Sequence, residues 1–209
     1  MTCRIAISII NYRTASMTLG CVRSVLSDIG DLDAQVVVVD NASGDGSADR
    51  IAEWIDEQPA GTRVMLVRSA RNTGFSGGHN QGMAAIEADH YLLLNSDALL
   101  HPGFLRTILS AAEANPRAGL IAPRIETEEG TVQVSCFRFH SPWSELVRGA
   151  NSGPITRLLQ RRVVALQPPV DPASIEWASF ACILLRGRMV AEIGPMDEGY
   201  FLYFEDAEY

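Results

Sequence analysis

The chain has 209 residues, 47% apolar and 20% charged, the balance of an ordinary soluble globular protein with room for one sizeable domain or two small ones. A formal net charge of -8 speaks against a nucleic-acid partner, because phosphate contacts need a basic surface. All 17 basic residues are arginine, and the lack of lysine excludes a Walker-type phosphate loop and a Schiff-base lysine.

No run approaches the roughly eighteen consecutive apolar residues that a membrane span needs. The amino terminus enters a strand-like segment of about six residues, too short for the apolar part of a signal peptide, so a cytoplasmic location is expected. Cys3, Cys21, Cys136 and Cys182 are scattered without a paired spacing, which indicates neither zinc nor redox chemistry, and they are expected to be buried, reduced thiols.

Ile5 to Ile10 form a β-branched run that ends at Asn11-Tyr12, and Leu19, Val22 and Leu26 follow at helical spacing. No glycine fingerprint opens this first helix, which argues against a dinucleotide-binding oxidoreductase. Val36 to Val39 make a buried strand with Asp40 at its carboxyl end, and the turn-rich loop Asn41 to Ser47 leads to a helical face of Ile51, Trp54 and Ile55. Arg63 to Val67 are expected as a third strand. Gly74 to Gly78 are expected as a glycine-rich loop before a helix that contains Met83 and Ile86.

Tyr91 to Leu94 have no polar alternation, as expected of a central parallel strand buried on both faces, and the run breaks at Asn95-Ser96-Asp97. Asp97 thus sits at a strand's carboxyl end, where open α/β sheets bind ligands. A lone carboxylate there suits magnesium, which takes one or two protein carboxylates and completes its shell with water and phosphate. Read alone, the same stretch serves equally as a turn into the next helix. That helix begins near Pro102, turns Leu105, Ile108, Leu109 and Ala112 inward and stops before Pro116. Strands recur about every thirty residues, the length of a β-α-β unit. The first half therefore reads as a doubly wound, mostly parallel sheet with a nucleoside-diphosphate site in outline, its glycine-rich turns offering backbone amides to phosphate.

Beyond Ile121 the pattern changes. Ile125 to Val134, with Glu129-Gly130 at the middle, reads as a hairpin. Arg157, Arg161 and Arg162, among Leu158, Leu159, Val163 and Val164, read as a solvated helix face in preference to an anionic-membrane contact. A strand over Trp177 to Leu185 follows, then a short helix (Met189, Val190, Ile193) ended by Gly194-Pro195, and a last strand, Tyr200 to Phe204, delivering Glu205-Asp206-Ala207-Glu208.

Five segments in this order and spacing carry a resemblance: Ser8 to Tyr12, Val38 to Ser47, Arg71 to Gly82, Leu93 to Asp97, and Met196 to Asp206. Together they resemble the family-two glycosyltransferases of the A-type nucleotide-sugar fold, the rhamnosyltransferase-like branch in particular. The resemblance implies a hexosyltransferase that uses magnesium or manganese and acts in cell-wall or polysaccharide biosynthesis. Its donor would be a nucleotide-diphosphate sugar, dTDP- or UDP-linked, and its acceptor a glycan or lipid-linked hydroxyl, with room for peripheral contact at the inner face of the cell membrane. Asn11 would lie in the loop touching the base, Asp40 would receive the base imide proton, and Arg71 would lie near base and diphosphate. Asn72 and Gly74 would shape the loop below the nucleotide, Asp97 would contact metal and ribose, and Asp206 would be the general base. A carboxylate is a pure acceptor and pairs with a uracil or thymine imide; the alternative for Asp40 is an Asx-type turn cap.

Two features depart from that branch: Asn95-Ser96-Asp97 has one carboxylate where many relatives have two, and Glu208 stands where aspartate is common. Relatives usually continue with further helices on the acceptor side, so a carboxyl-terminally truncated form is expected. Residues 1–123 are expected to be the donor-binding half and 124–209 the acceptor-side half of a single domain. A sugar nucleotidyltransferase is the first rival, although only Arg13 stands near strand one as a phosphate clamp. A catalytically silent nucleotide-sugar-binding domain is the second.

Overall fold

The structure, a computed structural model, describes residues 3–144, 149, 164–167, 170–202 and 205–209. Four parallel strands carry the first half: β1 (Cys3–Asn11), β2 (Ala34–Asp40), β3 (Val64–Arg68) and β4 (Ala88–Leu94). They read as unbroken apolar runs because helices cover both faces of the sheet. Val36 to Val39 and Leu92 to Leu94 are completely buried. The connecting helices are α1 (Ala15–Ile29), α2 (Ser47–Asp56), α3 (Gly74–Ala84) and α4 (Phe104–Ala114). On α4 the four residues expected to face inward, Leu105, Ile108, Leu109 and Ala112, are the buried ones.

The chain forms two compact units. The first consists of residues up to Pro123 together with Phe180–Glu205 and Tyr209. In it β5 (Leu120–Ile121) and β8 (Cys182–Arg186) complete a six-stranded sheet of order β3-β2-β1-β4-β8-β5, with β8 antiparallel to both neighbours. The second unit, Arg124–Ser179 with Asp206–Glu208, contains the antiparallel pair β6 (Cys136–Phe137) and β7 (Trp177–Ala178), where Phe137 stacks on Trp177 at 4.2 Å. The stretch 124–209 is thus divided, because β8 finds its hydrogen-bond partners beside β4.

Several expectations need correction. The expected single strand over Trp177 to Leu185 is two strands in different sheets. It breaks at Ser179, whose N–H bonds Ser135 O, and Asn95 N–H then takes Ala181 O as the chain enters the central sheet. Gly74 to Gly78 are the first turns of α3, not a loop, and Ile86 lies beyond that helix. No strand forms at Tyr200 to Leu202: Asp197 folds the chain back by accepting from Gly199 N–H at 2.8 Å, and Phe201 O pairs with Phe75 N–H instead of a sheet partner. Tyr203 and Phe204 lie outside the described residues, as do Arg157, Leu158, Leu159, Arg161, Arg162 and Val163 of the basic patch. Asp206 lies on a short helix, α6 (Glu205–Glu208), rather than at the end of a strand. Of the cysteines, Cys21 and Cys182 are buried, whereas Cys3 and Cys136 are only half-buried; all four are free thiols. The hairpin around Gly130 forms as read, with Glu126 bridging Val132 and Gly130 at φ 78°.

The helix α4 is held at both ends by charges from elsewhere. Asp28 of α1 accepts the N–H of Leu105 at 2.7 Å and that of Gly103, so it acts as a cap supplied by another helix. Arg186 of β8 donates to Ala118 O, Asn115 O and Ala112 O, neutralising the carboxyl end of α4. The next helix, α5 (Gly187–Ile193), starts where β8 lies against the β4 entry. A Cβ on Gly187 would stand 2.2 Å from Ala88 O, a backbone atom that cannot yield without opening the sheet. Gly187→Ala is therefore expected to cost about 1–3 kcal/mol by urea unfolding. Gly20→Ala, in α1 with nothing within 4 Å, is expected to stabilise by up to about 1 kcal/mol; equal midpoints for the two variants would contradict this packing.

Candidate functional site

The sheet order places a topological switch point at β1, from which the chain runs outward to β2 and β3 on one side and returns on the other through β4. Ligands of open α/β sheets bind in the crevice that this reversal leaves at the strands' carboxyl ends. Here that crevice is a cleft of about 400 Å³ within the first unit. Its walls include Ile10, Phe75, Leu94 and Phe201, and Asn41, Asn72, His79 and Asp97 supply polar groups.

Asn11 and Asp40 are register partners at the ends of β1 and β2, and both are buried. The Asn11 amide donates to Asp40 Oδ1 at 2.7 Å and to Ser43 Oγ at 3.0 Å, and its own oxygen accepts from Thr18 Oγ1 at 2.8 Å. Asp40 also takes the Ser43 hydroxyl on Oδ1 at 2.6 Å and the Ser43 N–H on Oδ2 at 3.2 Å. Three donors thus compensate a carboxylate withdrawn from water. Asp40 is therefore the cap of its own turn, and neither it nor Asn11 lines the cleft. The turns just past these strands contain Arg13 at φ 61° and Ala42 at φ 56°, the two non-glycine residues at positive φ among the described residues, a conformation that costs roughly 1–3 kcal/mol and clusters at functional sites.

Asn41, which sequence reasoning left unassigned, ties this turn to α3. Its amide donates to Asn72 Oδ1 at 3.0 Å and Gly74 O at 2.9 Å, while its oxygen accepts from Thr73 N–H at 3.0 Å and Thr73 Oγ1 at 3.2 Å. Asn72 Oδ1 also accepts from Gly74 N–H at 2.9 Å, and Phe201 O from Phe75 N–H at 3.0 Å. The amides of Thr73, Gly74 and Phe75 are thus engaged by protein acceptors, so they are not the phosphate cradle that a glycine-rich loop would provide. The glycines are required sterically: at φ 70°, a Cβ on Gly74 would lie 2.1 Å from Phe201 O, and one on Gly82 would lie 2.1 Å from Ser8 Oγ.

Asn72, Gly74 and Asp97 line the cleft; Arg71 is exposed on the loop before Asn72 and does not. Asp97 is exposed and makes no hydrogen bond or ion pair with the described residues. Its charge reaches inward: burial and, secondarily, Asp97 push the Cys21 thiol up to about 12, which keeps it protonated. No cluster of three His, Cys, Asp or Glu side chains suited to a metal occurs among the described residues. A divalent cation at Asp97 would accordingly take one protein carboxylate and complete its shell with ligand oxygens and water, a donor set that fits magnesium or manganese. Asp206 belongs to the second unit and has an interaction partner.

His79 is the other residue that the sequence reading passed over. It lies on α3, is 1% exposed, pairs through Nδ1 with Ser8 Oγ at 2.8 Å and meets Phe75 edge-on at 4.5 Å. Burial pushes its pKa from 6.5 down to about 3, so it is neutral at physiological pH. The unfolded chain binds a proton at this histidine below about pH 6.5 and the folded chain does not, so folding stability falls with pH through that window. Between pH 7 and pH 5 the parent is expected to lose on the order of 2 kcal/mol more than His79→Asn, as read from urea midpoints. Parallel pH profiles would show that His79 is not buried neutral.

The profile of glycosyl transferase family 2 matches residues 6–153. An N-acetylglucosaminyl-diphospho-decaprenol L-rhamnosyltransferase of Mycobacterium tuberculosis is 28% identical over 194 residues, which are 83% of this chain and 58% of that relative. The low-salt glycan biosynthesis hexosyltransferase Agl10 of Haloferax volcanii is 23% identical over 209 residues, 98% of this chain and 60% of that protein. The chain spans a little under two thirds of the length of these relatives. Among solved structures, Staphylococcus aureus TarS 1-349 in complex with UDP superposes with a TM-score of 0.62 at 12% identity, over 98% of this chain and 53% of that one. A mannosyltransferase from Pyrobaculum calidifontis, in complex with GDP-Man and Mn2+, does so at 0.60 and 16%, over 95% and 48%. These structures share the A-type glycosyltransferase fold, a mostly parallel α/β sheet. With the profile matched over most of its length, the chain belongs to glycosyl transferase family 2.

Proposed function

We propose that the protein is an inverting glycosyltransferase that moves a sugar, rhamnose by preference, from a uridine or deoxythymidine diphosphate donor to a hydroxyl of a glycan or lipid-linked acceptor. One observation carries this reading: the cleft at the switch point presents an exposed carboxylate, Asp97, that no described residue pairs with. Family membership makes a nucleotide sugar the ligand expected there. The preference for rhamnose rests on the Mycobacterium tuberculosis relatives, whose names give that sugar and a lipid-linked acceptor.

In this reading Asn11 fixes the Asp40 carboxylate, and Asp40 Oδ2, which accepts a single N–H, keeps lone pairs for the imide of uracil or thymine. Asn72 and Gly74 form the wall against which the nucleotide rests. Arg71 supplies positive charge on the diphosphate side. Asp97 would hold a divalent cation, which when bound would neutralise charge on the departing diphosphate. The acceptor hydroxyl bonds to the anomeric carbon as the bond to the diphosphate oxygen breaks, and the hydroxyl proton passes to Asp206, the proposed base. A fold that also serves a GDP-Man enzyme accommodates a purine, so selectivity for the base is assigned to Asp40.

The test is a calorimetric panel of nucleoside diphosphates with and without manganese. UDP and dTDP are expected to bind, with CDP, ADP and GDP weaker by about 1–3 kcal/mol for each polar group left unpaired. Equal affinity for GDP would remove Asp40 from base recognition. Asp97→Asn is expected to abolish the manganese-dependent part of UDP affinity and leave the unfolding midpoint in place; an unchanged manganese effect would move the cation elsewhere. For Asp206→Asn, sugar transfer is expected to fall by on the order of 10²–10⁴ while donor affinity changes little. A parental rate in that variant would point to Glu205 or Glu208 as the base.

A further inference from the structure

Four buried side-chain atoms have no hydrogen-bond partner among the described residues: Ser76 Oγ, both ring nitrogens of His90, and His79 Nε2. Of the residues that own them, His79 is the one lining the cleft. An orphaned buried polar atom costs roughly 1–3 kcal/mol, and one on a binding-cleft wall is satisfied when a ligand completes it.

The contact with Ser8 decides whether Nε2 is a donor or an acceptor. Ser8 lies on β1, is 1% exposed, and has His79 Nδ1 as its side-chain partner at 2.8 Å. If Nδ1 carried the proton and donated to Ser8 Oγ, the serine hydroxyl hydrogen would be buried without an acceptor and Nε2 would be a second orphan. If instead Ser8 donates its hydroxyl hydrogen to Nδ1, both of those atoms are satisfied by one bond and the single remaining orphan is an Nε2–H donor. The second arrangement leaves one unmet group where the first leaves two. Packing fixes it in place, since a Cβ at Gly82 would strike Ser8 Oγ at 2.1 Å and the edge of Phe75 closes one side of the imidazole.

We infer that His79 is a ligand-reading residue of the cleft, whose Nε2–H donates to an acceptor oxygen on the nucleoside part of the bound nucleotide. The surrounding wall argues for the nucleoside rather than the diphosphate: Ile10, Phe75, Leu94 and Phe201 are apolar surfaces suited to a flat ring, and the imidazole carries no charge with which to hold phosphate. An uncharged, preorganised donor discriminates by geometry and leaves net charge in the cleft unchanged. This inference rests on the nucleotide-binding reading of the same cleft.

Histidine-specific ¹⁵N labelling tests it directly, because the chain has only 4 histidines. The protein alone is expected to show His79 as the Nε2–H tautomer. Addition of UDP with magnesium is expected to move that Nε2–H resonance and slow its exchange with water, whereas inorganic diphosphate with magnesium leaves it in place. UDP binding that perturbs backbone signals but not the His79 ring would overturn the inference while leaving the nucleotide site standing. So would an Nδ1–H tautomer, or an equal response to inorganic diphosphate. Failure of UDP to bind at all would remove the nucleotide reading and this inference together. In parallel, His79→Leu is expected to weaken UDP binding about tenfold, and His79→Gln, which restores an N–H donor near the Nε2 position, to recover most of that loss.

Discussion

The organising constraint is how closely α3 can sit on β1 and β2. Cβ atoms at Gly78 and Gly82 would lie 2.7 Å from Ile10 and 2.1 Å from Ser8, so the helix sits at a distance that side chains at those positions would not allow. Interiors are packed to crystal-like density, and a methyl group at such a contact forces displacement of backbone or neighbours. The close seating brings His79 within 2.8 Å of Ser8 and lets Asn41 reach the first turn of α3. Glycine costs up to about 1 kcal/mol per helical position relative to alanine, and α3 carries Gly74, Gly77, Gly78 and Gly82. Tertiary contacts must offset that cost, and the hydrogen bonds of Asn41, Asn72 and Phe201 to its first turn are among them.

Two acids at the ends of the strands that flank β1 are handled in opposite ways. Asp40 is buried and given three donors, which hold the turn after β2 in place. Asp97 is exposed and receives none from the described residues. The contrast follows from the loops, since Ser43 folds back under Asp40 through the positive-φ residue Ala42, whereas after Leu94 the turn closed by Ala98 N–H on Asn95 O contributes no donor to Asp97.

The parallel sheet, the inward face of α4 and the location of both acids at strand ends were legible because each depends on local pattern: uninterrupted apolar runs, helical spacing, and a polar break. The Gly74 to Gly78 segment was misread for a physical reason. Glycine clusters usually mark loops because they lack helical propensity, and the contacts that make Gly74 and Gly78 necessary in α3 come from Phe201 and Ile10, distant in sequence. The aromatic run at Tyr200 to Leu202 was misread likewise, since its strand-like composition is overridden by the Asp197 turn and the bond from Phe75 N–H to Phe201 O. Asn41 and His79 gave no signal in the sequence: each acts through one long-range contact set that a linear pattern does not encode.

Asp97 has an energetic consequence for any diphosphate that enters the cleft. The chain carries a formal charge of -8, and the cleft wall adds a carboxylate that no described residue pairs with. Its field is felt as far as the buried Cys21. A diphosphate brought beside that carboxylate is repelled unless a cation comes with it, because the bound cation becomes the largest local charge and inverts the sign of the interaction. Cation and diphosphate therefore promote one another's binding by the same factor, as linkage requires. A cation held by Asp97 alone would leave its remaining coordination positions to ligand oxygens and water, and its affinity would then be set largely by the nucleotide it accompanied.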